Sequence, residues 1–585
     1  MGMTGTSDHL PPKVERAASF ENLLTDGTHL YWTESRPDGR SAVVRWSPSS
    51  LAEDVAVGVG SGVHAYGGGA VAPSPVGTWW VSDVDGQIRL DDVRITAATA
   101  QHGDLRFMDG LLLAVREGDA GDEFIAIDGT RRTARALRCA PFIASPTLHN
   151  GLLAWVEWPA DAMPWDHAEV WTAPLDDPDG ARLVAGGRSE AATQPAWGPN
   201  GDLYFMSDRS GWWNLYRYSA HGAEAIAPVE AECTDALWEL GYRSTAFLPD
   251  DRIVMIAHRG PDQHLVLVEP GGQVRTLPSP YTSFKPFLAE FDGRVAVIAA
   301  SATQHQQVVL IDPDGNMAPQ VVRGDPTPVP DSSSPEVVTA DSSHGPVTVL
   351  LYRPLRPHAS GKRPLIVRAH PGPTHHSEPR LEDDVQYFTS QGFAVADVDY
   401  RGSTGYGRDF RTVLNGRWGI LDVDDCFVAA EALVKADVAD PEAVFISGSS
   451  AGGYTALRAV SRSDTPFVLA VARSAIVDPG TWTHTAPRFQ RAHAATLSHG
   501  SASVDSTAVC RPVLLIHGLA DHVAPAEDTQ VLAATLEERG VLAGYLAVPG
   551  AGHYLSGADV ERVTLEAELD AYEAVLKPPR QALRT

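Results

Sequence analysis

The chain has 585 residues, 43% hydrophobic and 21% charged, with 74 Asp and Glu against 46 Lys and Arg and a formal net charge of -28. This length exceeds what one core holds, so at least two domains are expected. The negative balance excludes nucleic acid and anionic membrane as partners, because like charge repels both.

Cys139, Cys233, Cys426 and Cys510 are scattered without C-x-x-C spacing, so neither a disulfide framework nor a zinc site is expected. No cofactor and no metal is called for. The N-terminal segment, residues 1–20, is polar, and no apolar run is long enough to span a bilayer. A cytoplasmic location is the expectation. Oligomeric state is not legible.

Residues 21–325 carry short runs rich in Val, Leu, Trp and Tyr, separated by Asp-Gly, Asn-Gly and Gly-Gly turns, with no long amphipathic helix between them. Comparable units run from Thr25 to Trp46, Ala70 to Asp92, Leu105 to Asp128, Thr147 to Ala173, Gln194 to Tyr218, Thr245 to Val268 and Pro286 to Asp312. Their spacing, roughly 40 to 50 residues, is that of four-stranded propeller blades, and seven units predict an all-β seven-bladed propeller. An array of β-sandwiches is the alternative. Within this half, Trp155-Val-Glu-Trp158 sets Glu157 among tryptophans. Glu157 is either a solvated strand residue or a carboxylate that captures a substrate's α-ammonium. Glu169 and Glu239 are weaker candidates for the same role.

Residues 326–335 form a Pro- and Ser-rich linker. From 336 to 578 the pattern changes to buried-strand runs (Val347 to Tyr352, Pro364 to Ala369, Ala394 to Asp399) alternating with helical stretches. Such alternation predicts an α/β domain with a mostly parallel sheet.

Gly448-Ser449-Ser450-Ala451-Gly452 follows one such strand and precedes a helix-compatible run, the arrangement of a nucleophile elbow with Ser450 at its tip. Upstream, His370-Pro-Gly-Pro373 ends another strand and offers a backbone N–H near the elbow. The N–H of Ala451 is the second oxyanion donor. Downstream, one strand ends at Asp521 and another at His553. A serine alcohol needs a base, and the base needs an anion to orient it, so Ser450, His553 and Asp521 are the candidate triad. Asp528 and His517 compete for the acid and base roles, with His517 better suited to a structural one. Trp482 and Phe489, with Glu157, are candidate substrate contacts.

His370-Pro-Gly-Pro373, Tyr400-Arg-Gly-Ser-Thr-Gly-Tyr-Gly407, Trp418-Gly419 before Asp422, Gly448-x-Ser450-x-Gly452-Gly453-Tyr454, His517-Gly-x-x-Asp521 and Gly552-His553 together resemble the prolyl oligopeptidase family of serine peptidases, above all its acylaminoacyl-peptidase-like and aminopeptidase-like branch. The resemblance implies a propeller capping an α/β-hydrolase domain, and a triad of Ser450, Asp521 and His553. It also implies access for short peptides or peptide-like small molecules only. His370 stands where other branches carry an oxyanion tyrosine, so the resemblance assigns that donor to the Gly372 backbone. The expected activity is removal of N-terminal aminoacyl or acylaminoacyl groups. A hydrolase of an aminoacylated metabolite is one alternative, and a propeller interaction module with an inert hydrolase half is another.

Overall fold

The computed structural model describes residues 17–97, 99–500 and 502–577; most of the N-terminal segment therefore lies outside the described residues. The N-terminal half is seven four-stranded antiparallel sheets, each built from consecutive strands. Each predicted repeat unit falls on one of these blades. Two-residue turns with both residues at positive φ close the hairpins at Asp109-Gly110, Asn150-Gly151 and Asp292-Gly293. They bring Leu111 opposite Met108, Leu152 opposite His149 and Arg294 opposite Phe291. The Asp-Gly and Asn-Gly dipeptides are the residues such turns demand.

The ring closes without strand exchange. Phe20, Leu30, Trp32 and Val44 of the first blade pack against Phe287, Phe291, Ile298 and Leu310 of the last. Arg323 from the last blade meets the nearly buried Glu34 of the first at 2.8 Å.

The C-terminal half is an eight-stranded sheet of β1 (Pro335–Ser342), β2 (Gly345–Tyr352), β3 (Leu365–Ala369), β4 (Ala394–Asp399), β5 (Val444–Ser449), β6 (Leu469–Arg473), β7 (Val513–Gly518) and β8 (Leu542–Val548). Its order is β1-β2-β4-β3-β5-β6-β7-β8, and from β4 onward every pairing is parallel. Helices 421–435, 451–459 and 526–538 cover one face, and helices 383–390 and 558–576 the other. Burial on both faces explains the continuous apolar runs. No helix among the described residues is long and apolar enough to cross a membrane.

Helix Arg408–Thr412 docks on the propeller. Asp208 of the propeller, fully buried, receives Arg408 at 2.6 Å and Arg411 at 2.7 Å. Arg411 also donates to the Trp165 carbonyl and lies 4.0 Å over the Trp213 ring. Elsewhere Arg488 of the catalytic half pairs with Glu117 at 2.7 Å and with Asp122.

Removing the acid from a buried cluster strands its cations, at about 3–5 kcal/mol. Asp208→Ala is therefore expected to lower the thermal unfolding midpoint sharply. A midpoint unchanged from the parent would show that Asp208 does not hold the halves together.

Candidate active site

Ser450 follows β5 and starts helix Ala451–Ala459 with φ 54° and ψ -116°, a conformation rare for a residue with a side chain. The flanking glycines follow from close approach. A Cβ on Gly448 would lie 2.1 Å from the Gly452 carbonyl oxygen, and one on Gly452 would lie 2.0 Å from that of Ala369. A Cβ on Gly453 would meet Ala475 at 2.8 Å. The Ser450 N–H donates to the Arg473 carbonyl at 2.9 Å, which fixes the turn against β6.

The same packing seats the elbow on the end of β3, where His370 to Pro373 begin. His370 stacks on Tyr400, with centroids 4.1 Å apart, and its Nε2 lies 2.7 Å from the Ser403 hydroxyl. Burial, then His375, lowers His370 to about 3, so its ring is neutral. Gly372 has φ 118°, a conformation glycine adopts without strain. Ala451 is the first residue of its helix, so its N–H has no carbonyl one turn back to bond. The propeller holds this loop as well, through a 2.6 Å hydrogen bond from Trp238 Nε1 to the Thr374 carbonyl.

Asp521 and His553 are in contact, with Oδ2 2.8 Å from Nδ1. Two loop contacts set that distance: the Leu519 N–H donates to Val548 and the Ala520 N–H to Ala551. Gly518 lets the loops touch, since a Cβ there would lie 2.4 Å from the Ala551 carbonyl oxygen. The other Asp521 oxygen accepts the N–H groups of Val523 and Ala524 at 2.8 and 2.9 Å. Burial alone would raise this carboxyl. Hydrogen bonds from His517 and His553, the charge of His553 and the Ala524 N–H instead hold it well below the usual range. No hydrogen bond joins Ser450 to His553 among the described residues; such contacts often tighten only when substrate binds.

His517 is fully buried, between the Ala524 carbonyl at 3.0 Å and the Thr529 hydroxyl at 2.9 Å, a structural placement. Asp528 lies on the following helix and bonds neither histidine among the described hydrogen bonds.

The candidate substrate contacts differ in fate. Glu157 accepts from Arg138 and from Trp155 Nε1, both at 2.8 Å, so its charge is neutralised inside the propeller and the ammonium role fails there. Its strand partner Glu169 is 3.2 Å from both His167 and Trp171. Trp482 is buried beneath the acid loop and donates to the Val523 carbonyl at 3.0 Å, a supporting rather than a substrate-facing position. Phe489 sits in an aromatic cluster contributed by both halves, against His64, Tyr66, Trp158, Trp165 and Trp238. This cluster borders the oxyanion loop through His493, which packs edge-on to Trp165. Burial lowers His493 to about 4 against the pull of the Gly372 carbonyl. Tyr66 carries the cluster to Tyr554, the neighbour of His553, at 6.4 Å.

Glu239 faces the inter-domain space. It lines a cavity of about 260 Å³ with Trp238, Tyr242, Lys285 and Thr374. Burial and then the neighbouring Glu21 push it up to about 8, against the opposing pull of Lys285. Glu21 is 3.1 Å from Lys285. Tyr554 is 67% exposed yet projects between the halves. Surrounding protein, then the Glu239, Glu21 and Asp521 carboxylates, raise its hydroxyl, so the acids lie within electrostatic reach of the residue beside His553.

Comparison with known proteins agrees with this architecture. Residues 379–578 match the prolyl oligopeptidase family. The acylamino-acid-releasing enzyme of Arabidopsis thaliana is 27% identical over 235 residues, 37% of this chain and 31% of that protein. The chain thus spans about a third of the length of the curated relatives it matches. Among solved structures, a puromycin-hydrolyzing peptidase of Mycobacterium tuberculosis is 29% identical with a TM-score of 0.89, covering 97% of this chain and 96% of that one. A puromycin hydrolase is 28% identical with a TM-score of 0.88, covering 96% and 95%. Residues 379–578 of this chain form a domain of the prolyl oligopeptidase family.

Proposed function

We propose that the protein is a serine exopeptidase that releases N-terminal aminoacyl residues, with large apolar side chains, from short peptides and peptide-like amides. The observation that carries this reading is the Asp521–His553 contact at the strand ends beside the strained elbow of Ser450. Ser450 Oγ attacks the carbonyl while His553 takes its proton, and Asp521 holds the imidazole by Nδ1 and stabilises its charged form. The Gly372 and Ala451 N–H groups receive the oxyanion. His553 then returns the proton to the leaving amine, and water repeats the sequence on the acyl-enzyme.

Two features support the substrate class. Glu239 lies in the inter-domain cavity within electrostatic reach of Tyr554, and a substrate α-ammonium arriving there would favour its ionised form. The aromatic cluster around Phe489 and His493 offers an apolar wall beside the oxyanion loop. The names of two solved relatives, a puromycin-hydrolyzing peptidase and a puromycin hydrolase, bring puromycin within the proposed class.

Ser450→Ala should lower kcat on the order of 10⁶-fold, and Asp521→Asn roughly 10⁴-fold, with unchanged circular dichroism. Retention of more than a hundredth of the parent rate by the purified Ser450→Ala protein would remove Ser450 from the nucleophile role.

Glu239→Gln should raise KM for aminoacyl anilides while leaving their N-acetylated counterparts nearly unchanged. A charge-assisted hydrogen bond of roughly 1.5–3 kcal/mol is available only to the free amine. Equal effects on both substrate types would show that Glu239 does not read the ammonium, and faster cleavage of the acetylated series would favour acylaminoacyl substrates.

A further inference from the structure

Where the loop after Gly372 meets the propeller, Asp235, His258 and His376 converge with one donor atom each, all within 4.8 Å of one another. His258 belongs to the propeller strand Ile253–Arg259, Asp235 to the connection before it, and His376 to the catalytic half. His258 is fully buried, and neither ring nitrogen has a hydrogen-bond partner. Its Nε2 lies 3.3 Å from Asp235 Oδ1, yet that oxygen is likewise without a hydrogen bond. Leaving such groups unsatisfied in the interior is costly. The His258–Asp235 approach is thus an ion-pair contact without hydrogen-bond geometry, and His258 Nδ1 makes no hydrogen bond, a set of donors that a bound cation would satisfy.

We infer that Asp235, His258 and His376 form a binding site for a divalent transition-metal ion, Zn²⁺ in the first instance, that ties the oxyanion loop to the propeller. Two imidazoles and one carboxylate are a donor set that zinc accepts, with water completing the coordination. His376 Nδ1 is 2.8 Å from the Thr404 hydroxyl, an outer contact that leaves Nε2 free to ligate. The two rings stack face to face, centroids 4.5 Å apart and planes 17° apart. One ring must therefore turn about its Cβ–Cγ bond for both lone pairs to reach one ion. For His258 that turn exchanges its 3.3 Å approach to Asp235 for ligation of the ion.

The surrounding charges fit. Glu232 neighbours His258, but it is held by the Trp213 N–H at 2.7 Å and lies 3.5 Å from Arg411, so it stands behind the site. Asp235 and His376 also line the 260 Å³ inter-domain cavity, which gives an ion its route in. The cysteine spacing held no trace of this site, because none of its donors is a cysteine.

The inference is independent of the hydrolase reading. After dialysis against a chelator, the full chain titrated calorimetrically with Zn²⁺ should take up one ion per chain. Substitution with Co²⁺ should give the visible absorption of a four- or five-coordinate site. His258→Gln and His376→Gln should each weaken the site by at least about a hundredfold, and Thr404→Ala by about tenfold. Asp235 is half-buried, so Asp235→Asn tests the site in a chain whose core is untouched. Stoichiometry and affinity unchanged in both His376→Gln and Asp235→Asn would overturn the proposal, as would the absence of a one-equivalent site in the parent.

Discussion

The catalytic half depends on the absence of space around one turn. Gly448 and Gly452 sit where a single methyl group would overlap backbone carbonyls, and that contact clamps the Ser450 turn between β3 and the start of its helix. The strained backbone of Ser450, worth about 1–3 kcal/mol, persists because strand pairing on both sides of β5 over-determines it. The clamp aims Ser450 out of the sheet, brings Ala451 to the helix start and presses both against the loop of Gly372. From this one constraint the proposed nucleophile, Ser450, and the proposed oxyanion donors, Gly372 and Ala451, take their positions together. Asp521 and His553 arrive from the next strand ends, at the carboxyl edge where open α/β sheets bind ligands.

The propeller supplies part of the site as well as covering it. Trp238 bonds the Gly372 loop, Phe489 lies among propeller aromatics, and Glu239 lines the inter-domain cavity. These contributions require a fixed docking of the halves, which the burial of Asp208 against Arg408 and Arg411 provides.

Much of this was legible from short-range signals. Asp-Gly and Asn-Gly pairs dictate tight hairpins, so the seven blades could be counted, although outer strands such as Glu53–Val57 are too short and exposed to leave a pattern. The elbow and the loops of Asp521 and His553 were legible because glycines and apolar strands flank them. Pairings between distant segments were not. Glu157 read as an open acid among tryptophans, but Arg138 from the preceding blade claims it. Trp482 read as a substrate contact until its hydrogen bond placed it under the Val523 loop. Glu239, set below Glu157 from the sequence, gains its importance from Tyr554 and Glu21, both remote in the chain. The same remoteness concealed His258 and His376, which meet only across the docked halves.

In the proposed mechanism Ser450, activated by the Asp521–His553 pair, forms the covalent acyl-enzyme. Treatment with a fluorophosphonate followed by peptide mapping in a mass spectrometer reads this step. One adduct per chain is expected, on the peptide containing Ser450, formed at a rate that collapses in His553→Ala. An adduct on any other serine, or labelling of Ser450 at the parent rate without His553, would contradict it.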